Sequence, residues 1–221
     1  MVIMSKNDMH ISGSGTIAAG EYGNVKISGS GKINGSISCT ELHCSGSAKA
    51  DGDILCSGDI KCSGSFHCSG NIDAGSITCS GAAKIGEAIK ANTIKASGAI
   101  KATDMEAERI VLSGGCGVSG LLNAETVEIN LGGKCSVGSI GGGKITVKLG
   151  GGSGFWLGRR RDDLLETGTI EGDEIELENT TADIVRGKNV IIGKNCSIKT
   201  VEYSGNLIVD GSSTVKQQTK I

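Results

Sequence analysis

The stretch CSGDIKCSGSFHCSG, residues 56–70, sets Cys56, Cys62 and Cys68 six residues apart, each followed by Ser-Gly. Thiolates are soft ligands and nucleophiles, so equal spacing of three raises metal binding first and redox chemistry second. Structural zinc sites use closer pairs such as Cys-x-x-Cys, with a supplementary histidine. The chain has nine cysteines, no Cys-x-x-Cys, and three histidines, His10, His43 and His67, all near its amino end. No metal, catalytic or cofactor-binding residue is therefore assigned. Ser-His-Asp, Walker A and dinucleotide signatures do not stand out either. The Gly-x-Gly matches at 13–15 and 29–31 are expected in a chain with 37 glycines, and no helical pattern follows them. Asp173, Glu174, Glu176 and Glu178 cluster, but three of them alternate along a strand, which reads as a solvated face.

Charge narrows the partners. The 22 basic and 24 acidic residues give a net charge of -2, and the one dense basic cluster, Arg159, Arg160 and Arg161, is followed at once by Asp162 and Asp163. That excludes the basic footprint nucleic acid requires. The first residues, MVIMSKNDMH, hold no apolar core of signal-peptide length. No segment approaches the ~18 apolar residues of a membrane span. The expectation is a cytoplasmic protein with reduced cysteines.

The elements that carry the cysteines follow from a repeat. Ser-Gly recurs at 12, 28, 45, 63, 80, 97 and 113, in steps of 16 to 18. The residue before it is Ile11, Ile27, Cys44, Cys62, Cys79, Ala96 and Leu112, and Leu131 and Leu149 before Gly-Gly extend the column. Five residues after each anchor serine runs a second column, Ile17, Ile33, Ala50, Cys68, Ile85, Ala102 and Val118. A third holds Cys39, Cys56, Ala74, Ala91 and Ala124. Another apolar residue commonly stands two positions earlier, as Ile60 before Cys62 and Ile72 before Ala74, with Lys61 or Asp73 between. That is the alternation of a short strand with one face inward.

Three short strands and three small-residue corners per period of about 17 residues give an all-β fold, a single-stranded parallel β-helix with three faces. Glycine at the corners supplies positive φ, and the absence of proline keeps every N–H available to the ladders. Aromatic residues make up only 2% of the chain, so the core is aliphatic. The cysteines share their columns with Ala, Ile, Leu and Val and read as small buried hydrophobes. Metal binding, or a disulfide between stacked Cys62 and Cys79, are the minor alternatives.

The expected layout is a short tail at 1–10, about eight coils over 11–149, an insertion at 150–170 with a short helix at Arg160–Glu166, further coils over 171–211, and a tail at 212–221. Ends of a solenoid present unpaired edges. Ile11, Ile17, Val25 and Ile27 at one end, and Tyr203, Leu207 and Val209 at the other, are the candidate self-assembly contacts, unless the tail VKQQTKI covers the latter. Phe155, Trp156 and Leu157, with Arg159, Arg160 and Arg161, either lid an edge or touch a protein partner or lipid surface.

The coils, their aliphatic-x-small strands and glycine corners, and the run GDEIELENTTADIVRGKNVIIGKNCSIKTVEYSG at 172–205 resemble the bactofilins, bacterial polymer-forming cytoskeletal proteins. The resemblance implies a right-handed helix that polymerises end to end without nucleotide and scaffolds other proteins, often at a membrane. This chain departs from the family in its longer solenoid, short tails and insertion, which leaves room for a relative that does not polymerise. VIIGKNCSI, 190–198, has instead the look of a left-handed hexapeptide-repeat acyltransferase, trimeric enzymes with a histidine base. The Ser-Gly repeat is not their pattern.

Overall fold

The computed structural model describes residues 7–150 and 163–221, and these contain strands, turns and no helix. The chain divides into two compact units, Met1–Thr103 and Asp104–Ile221. Each is a parallel β-solenoid.

In the first unit the chain returns to the same lateral position every 16 to 18 residues, placing Ile11, Ile27, Cys44, Cys62, Cys79 and Ala96 in one in-register column. Ile17, Ile33, Ala50, Cys68 and Ile85 form a second. Ile37, Ile54, Ile72 and Ile89 form a third, beside Cys39, Cys56, Ala74 and Ala91. All are buried. Each fully buried Ile contributes about 1.5–3 kcal/mol relative to an exposed one. Stacking identical positions lets a narrow core, in which Phe66 is the one aromatic side chain among the described residues, add this up coil by coil.

The corners differ from expectation in cause. Among the described residues none of the Ser-Gly corner glycines has a positive φ; that conformation occurs at Gly20 (φ 153), Gly35 (φ 92) and Gly133 (φ 157) and at the non-glycine residues Asn179 (φ 47) and Asn195 (φ 57). Close approach is what demands glycine at the Ser-Gly corner. A Cβ on Gly29, Gly46, Gly64, Gly81 or Gly98 would run into the carbonyl oxygen of the corner glycine one coil below. The same carbonyls accept ladder bonds from the following residue of the next coil, Ser47 to Gly29 at 2.8 Å and Ser65 to Gly46 at 3.0 Å. Only Gly13, in the first coil, has nothing within 4 Å of that position among these corners.

The second unit continues the arrangement with longer strands, Cys116–Leu131, Cys135–Leu149, Leu165–Leu177 and Thr180–Ile192, that run on through the corners. Here the sequence columns need correction. Leu112 is in register with Ile129, Val147, Leu177, Ile192 and Val209, so Leu131 and Leu149 do not continue its column. They pair with each other, and Leu149 is 36% exposed. The Gly-Gly after them imitates the Ser-Gly corner in sequence, yet the partner in the Leu112 ladder falls two residues earlier, and Leu131 is buried beside it.

Three boundaries also move. Met9–Ile11 is already a strand, so the first tail is shorter than 1–10. Cys135 pairs with Leu165, an offset of 30 residues where the next, Leu165 to Thr180, is 15. The surplus chain therefore ends before Leu165, and Leu165 and Ile170 belong to the core. The helix expected over Arg160–Glu166 cannot include Leu165 and Glu166, which open a strand. Residues 214–220, expected as tail, form a strand that pairs in parallel with Ser197–Tyr203.

Candidate functional site

The corner that ends the first column decides what the cysteines do locally. Cys44, Cys62 and Cys79 each precede Ser-Gly, and each thiol points at the carbonyl oxygen of its own corner glycine, at 3.6 Å from Gly46, Gly64 and Gly81. A thiol at this position fills the space of an alanine and also donates weakly to a carbonyl. Cys68 does the same toward Gly52 at 3.2 Å, and Cys56 toward Thr40 at 3.3 Å. The three cysteines of the opening motif thus sit on three different ladders, each turned to a different corner. Among the described residues no group of three or more His, Cys, Asp or Glu side chains is placed to hold a metal ion.

Stacking also tunes the thiols against one another. The Cys62 thiol beside Cys44 holds the Cys44 thiol below its ordinary value, while Cys62 itself is pushed up to about 11, first by Cys44. Donation from Cys39 brings Cys56 down to about 7. Burial pushes Cys68 up to about 11. In the second unit, Cys116 and Cys135 are paired in register, and the contact raises the first and lowers the second. That pair escaped the sequence reading because Gly-Cys-Gly and Lys-Cys-Ser interrupt the Ser-Gly rhythm.

The remaining chemistry-bearing residues lie on outward faces. His43 stacks between Lys26 and Lys61, with its Nε2 3.4 Å from the Glu41 carboxylate but not hydrogen-bonded to it. The carboxylate cluster is dispersed into lateral pairs: Glu176 meets Lys148 at 2.9 Å and Glu174 accepts from Asn189 at 2.7 Å. Within VIIGKNCSI, Val190, Ile192, Cys196 and Ile198 point into the core. Asn195 makes the corner, donating to the stacked Asn179 at 3.1 Å. The three histidines all belong to the first unit, and this motif to the second.

The expected assembly residues separate into two groups. Ile11, Ile17, Val25 and Ile27 are all core residues, between 0% and 8% exposed, so their side chains are not a surface. What the first coil offers instead is backbone: Met9–Ile11 and Ser14–Glu21 pair with the second coil on one edge, and no strand pairs with the other edge among the described residues. At the carboxyl side Tyr203, Leu207 and Val209 are half-buried, whereas Ile192, beneath Val209, is fully buried. Ile208 is 60% exposed and stacks on Ile191, itself 41% exposed. Thr214–Lys220 covers Ile198 and Val201 but leaves Leu207–Val209 uncovered. Phe155, Trp156, Leu157, Arg159, Arg160 and Arg161 lie outside the described residues. No helix among the described residues is long and apolar enough to cross a membrane.

The class this geometry defines is the parallel β-solenoid with aliphatic columns. No family model and no solved structure matches the chain. Two curated proteins of Bacillus subtilis (strain 168) do. The uncharacterized protein YhbF is 43% identical over 103 residues, 46% of this chain and 42% of that protein. The uncharacterized protein YhbE is 44% identical over 105 residues, 47% of this chain and 44% of that protein. The match thus spans less than half the length of either relative.

Proposed function

We propose that this protein is a structural element that self-associates end to end, without nucleotide, into filaments that scaffold other proteins in the cytoplasm or at a membrane surface. The observation that carries the reading is the state of the two coil edges. Among the described residues, no strand pairs with the outer backbone edge of the first coil, where the position beside Gly13 is open, and none pairs with the outer side of the Leu207–Val209 ladder, whose Leu207 and Val209 are half-buried. An edge strand of this kind accepts another strand by continuing the ladder. The resemblance to bactofilins supports the same reading. No step in it requires a catalytic group or a cofactor.

A charge at Ile27, buried in the second coil, would damage the fold, so it cannot test the interface. Val209→Glu and Gly13→Val can. Sedimentation velocity of the wild type should show large species that grow with concentration. Either variant should stay small while its circular dichroism remains that of the wild type. Unchanged assembly in both would sink the proposal.

A second reading rests on the strand Thr214–Lys220. It sets Gln218 over Val201 and Lys220 over Tyr203, with the ammonium 5.9 Å from the ring centroid, where an aliphatic column would otherwise continue. Polar outer strands are how solenoids cap themselves. On this reading the protein is a non-polymerising interaction module, and wild-type sedimentation as a single small species at all concentrations would favour it.

A further inference from the structure

We propose that the Ser-Gly corner of the first unit is the surface by which the protein lies on an anionic lipid bilayer, held there by two rows of lysine. The corner separates two ladders. On one side of it Lys26, His43, Lys61, Thr78 and Lys95 stack in register on the outward face. On the other side Lys32, Lys49, His67, Lys84 and Lys101 do the same. Neighbouring strands lie about 4.8 Å apart, so each row repeats a basic side chain at nearly that interval.

The near-neutral net charge of the chain conceals this because the charges are sorted laterally. Residues 7–103 contain eight lysines, eight carboxylates and no arginine. Seven of the lysines occupy the two rows, all of them exposed, and no carboxylate does. The carboxylates belong to the third ladder and the two corners that flank it. Asp51 reaches Lys32 at 3.2 Å and Lys49 at 3.0 Å, and Asp59 reaches Lys61 at 3.0 Å. Among the described residues Lys26, Lys84, Lys95 and Lys101 are in no ion pair.

Shape and residue type favour a bilayer over nucleic acid. Between the rows the exposed residues are the Ser-Gly pairs and one further serine or alanine, so nothing longer than serine stands between the ammonium groups. Lysine is a compact, hydrated point charge on a flexible stem, suited to a diffuse surface potential. Arginine forks and aromatic platforms, by which nucleic acid is read, are absent from both rows. A lysine at an anionic leaflet strengthens binding roughly fivefold, so the four unpaired ones together supply about 600-fold. The inference rests on the membrane-surface part of the function proposed above and not on self-association, since both rows lie within one unit.

Flotation of vesicles through a density gradient tests it, because filaments that hold no lipid stay at the bottom. The full chain should float with vesicles of phosphatidylcholine and phosphatidylglycerol at ~0.05 M salt and stay down with phosphatidylcholine alone. It should be released at ~1 M salt, where screening shortens the reach of a charge to about 3 Å. Lys84→Gln, Lys95→Gln and Lys101→Gln combined should weaken flotation roughly 100-fold. Lys144→Gln, Lys188→Gln and Lys194→Gln combined, which take as much charge from the second unit, should stay near the wild type. Val209→Glu should still float although it no longer assembles, so loss of binding and loss of assembly are separate results. Equal flotation by the two triple variants, flotation on uncharged vesicles, or none on anionic ones would each overturn the proposal. So would duplex DNA that strips the chain from the vesicles at equal phosphate concentration. The wild-type comparisons of lipid and salt decide the matter even where a variant folds poorly.

Discussion

Two residue types carry this fold at its corners, and each makes a claim that can be checked one position at a time. Gly64 stands where a Cβ would meet the Gly46 carbonyl, a backbone group held by the ladder bond from Ser65. Gly64→Ala should therefore destabilise the protein by about 1–3 kcal/mol. Gly13→Ala, with open space at the same corner of the first coil, should stay within about 0.5 kcal/mol of wild type. Urea denaturation of the two variants side by side measures the difference, and equal midpoints would show that close approach is not the reason for glycine. Cys68 supplies a pH test, because burial raises its thiol from the ordinary 9.0 to about 11. Below pH 9 both folded and unfolded chains hold the proton, and the contribution is complete. As the pH rises from there the unfolded chain ionises first, so the contribution is lost progressively up to about 11. The melting temperature should fall across that window, and less steeply in Cys68→Ala. An identical slope in the variant would assign the loss to other groups.

At the scale of strands and corners, legibility followed periodicity. Where an apolar residue repeats every 16 to 18 positions before Ser-Gly, as at Ile11, Ile27, Cys44 and Cys62, spacing alone yields the ladder that the structure has. It misled where a second signal imitated the first: Leu131 and Leu149 precede Gly-Gly, but the ladder from Leu112 runs through Ile129 and Val147. The strand at 214–220 was illegible for another reason. Its positions over Val201 and Tyr203 are Gln218 and Lys220, so the apolar alternation by which a strand is recognised is missing while the backbone ladder persists. Asn179 and Asn195, at φ 47 and 57, show the second unit turning its corners by a left-handed residue with stacked side chains. Asn195→Ala should cost about 1–2 kcal/mol from the conformation alone. Asn195→Gly should recover most of it, and thermal melts in which both variants lose equally would put the weight on the side-chain ladder instead.

For the whole molecule, self-association is decided at coils that have a neighbour on one side only. A solenoid's stability is a sum over coil-to-coil contacts, so an edge without a partner stabilises less than any interior position, and another copy can supply what is missing. The polar strand at 214–220 limits this at the carboxyl side to the Leu207–Val209 ladder, while among the described residues the first coil has no strand on its outer edge and an open corner at Gly13. Electron microscopy of the purified, nucleotide-free protein over a wide range of concentrations tests this most directly. Unbranched filaments that lengthen with concentration, and that Gly13→Val abolishes, are what the account predicts. Discrete particles of one size at every concentration would contradict it.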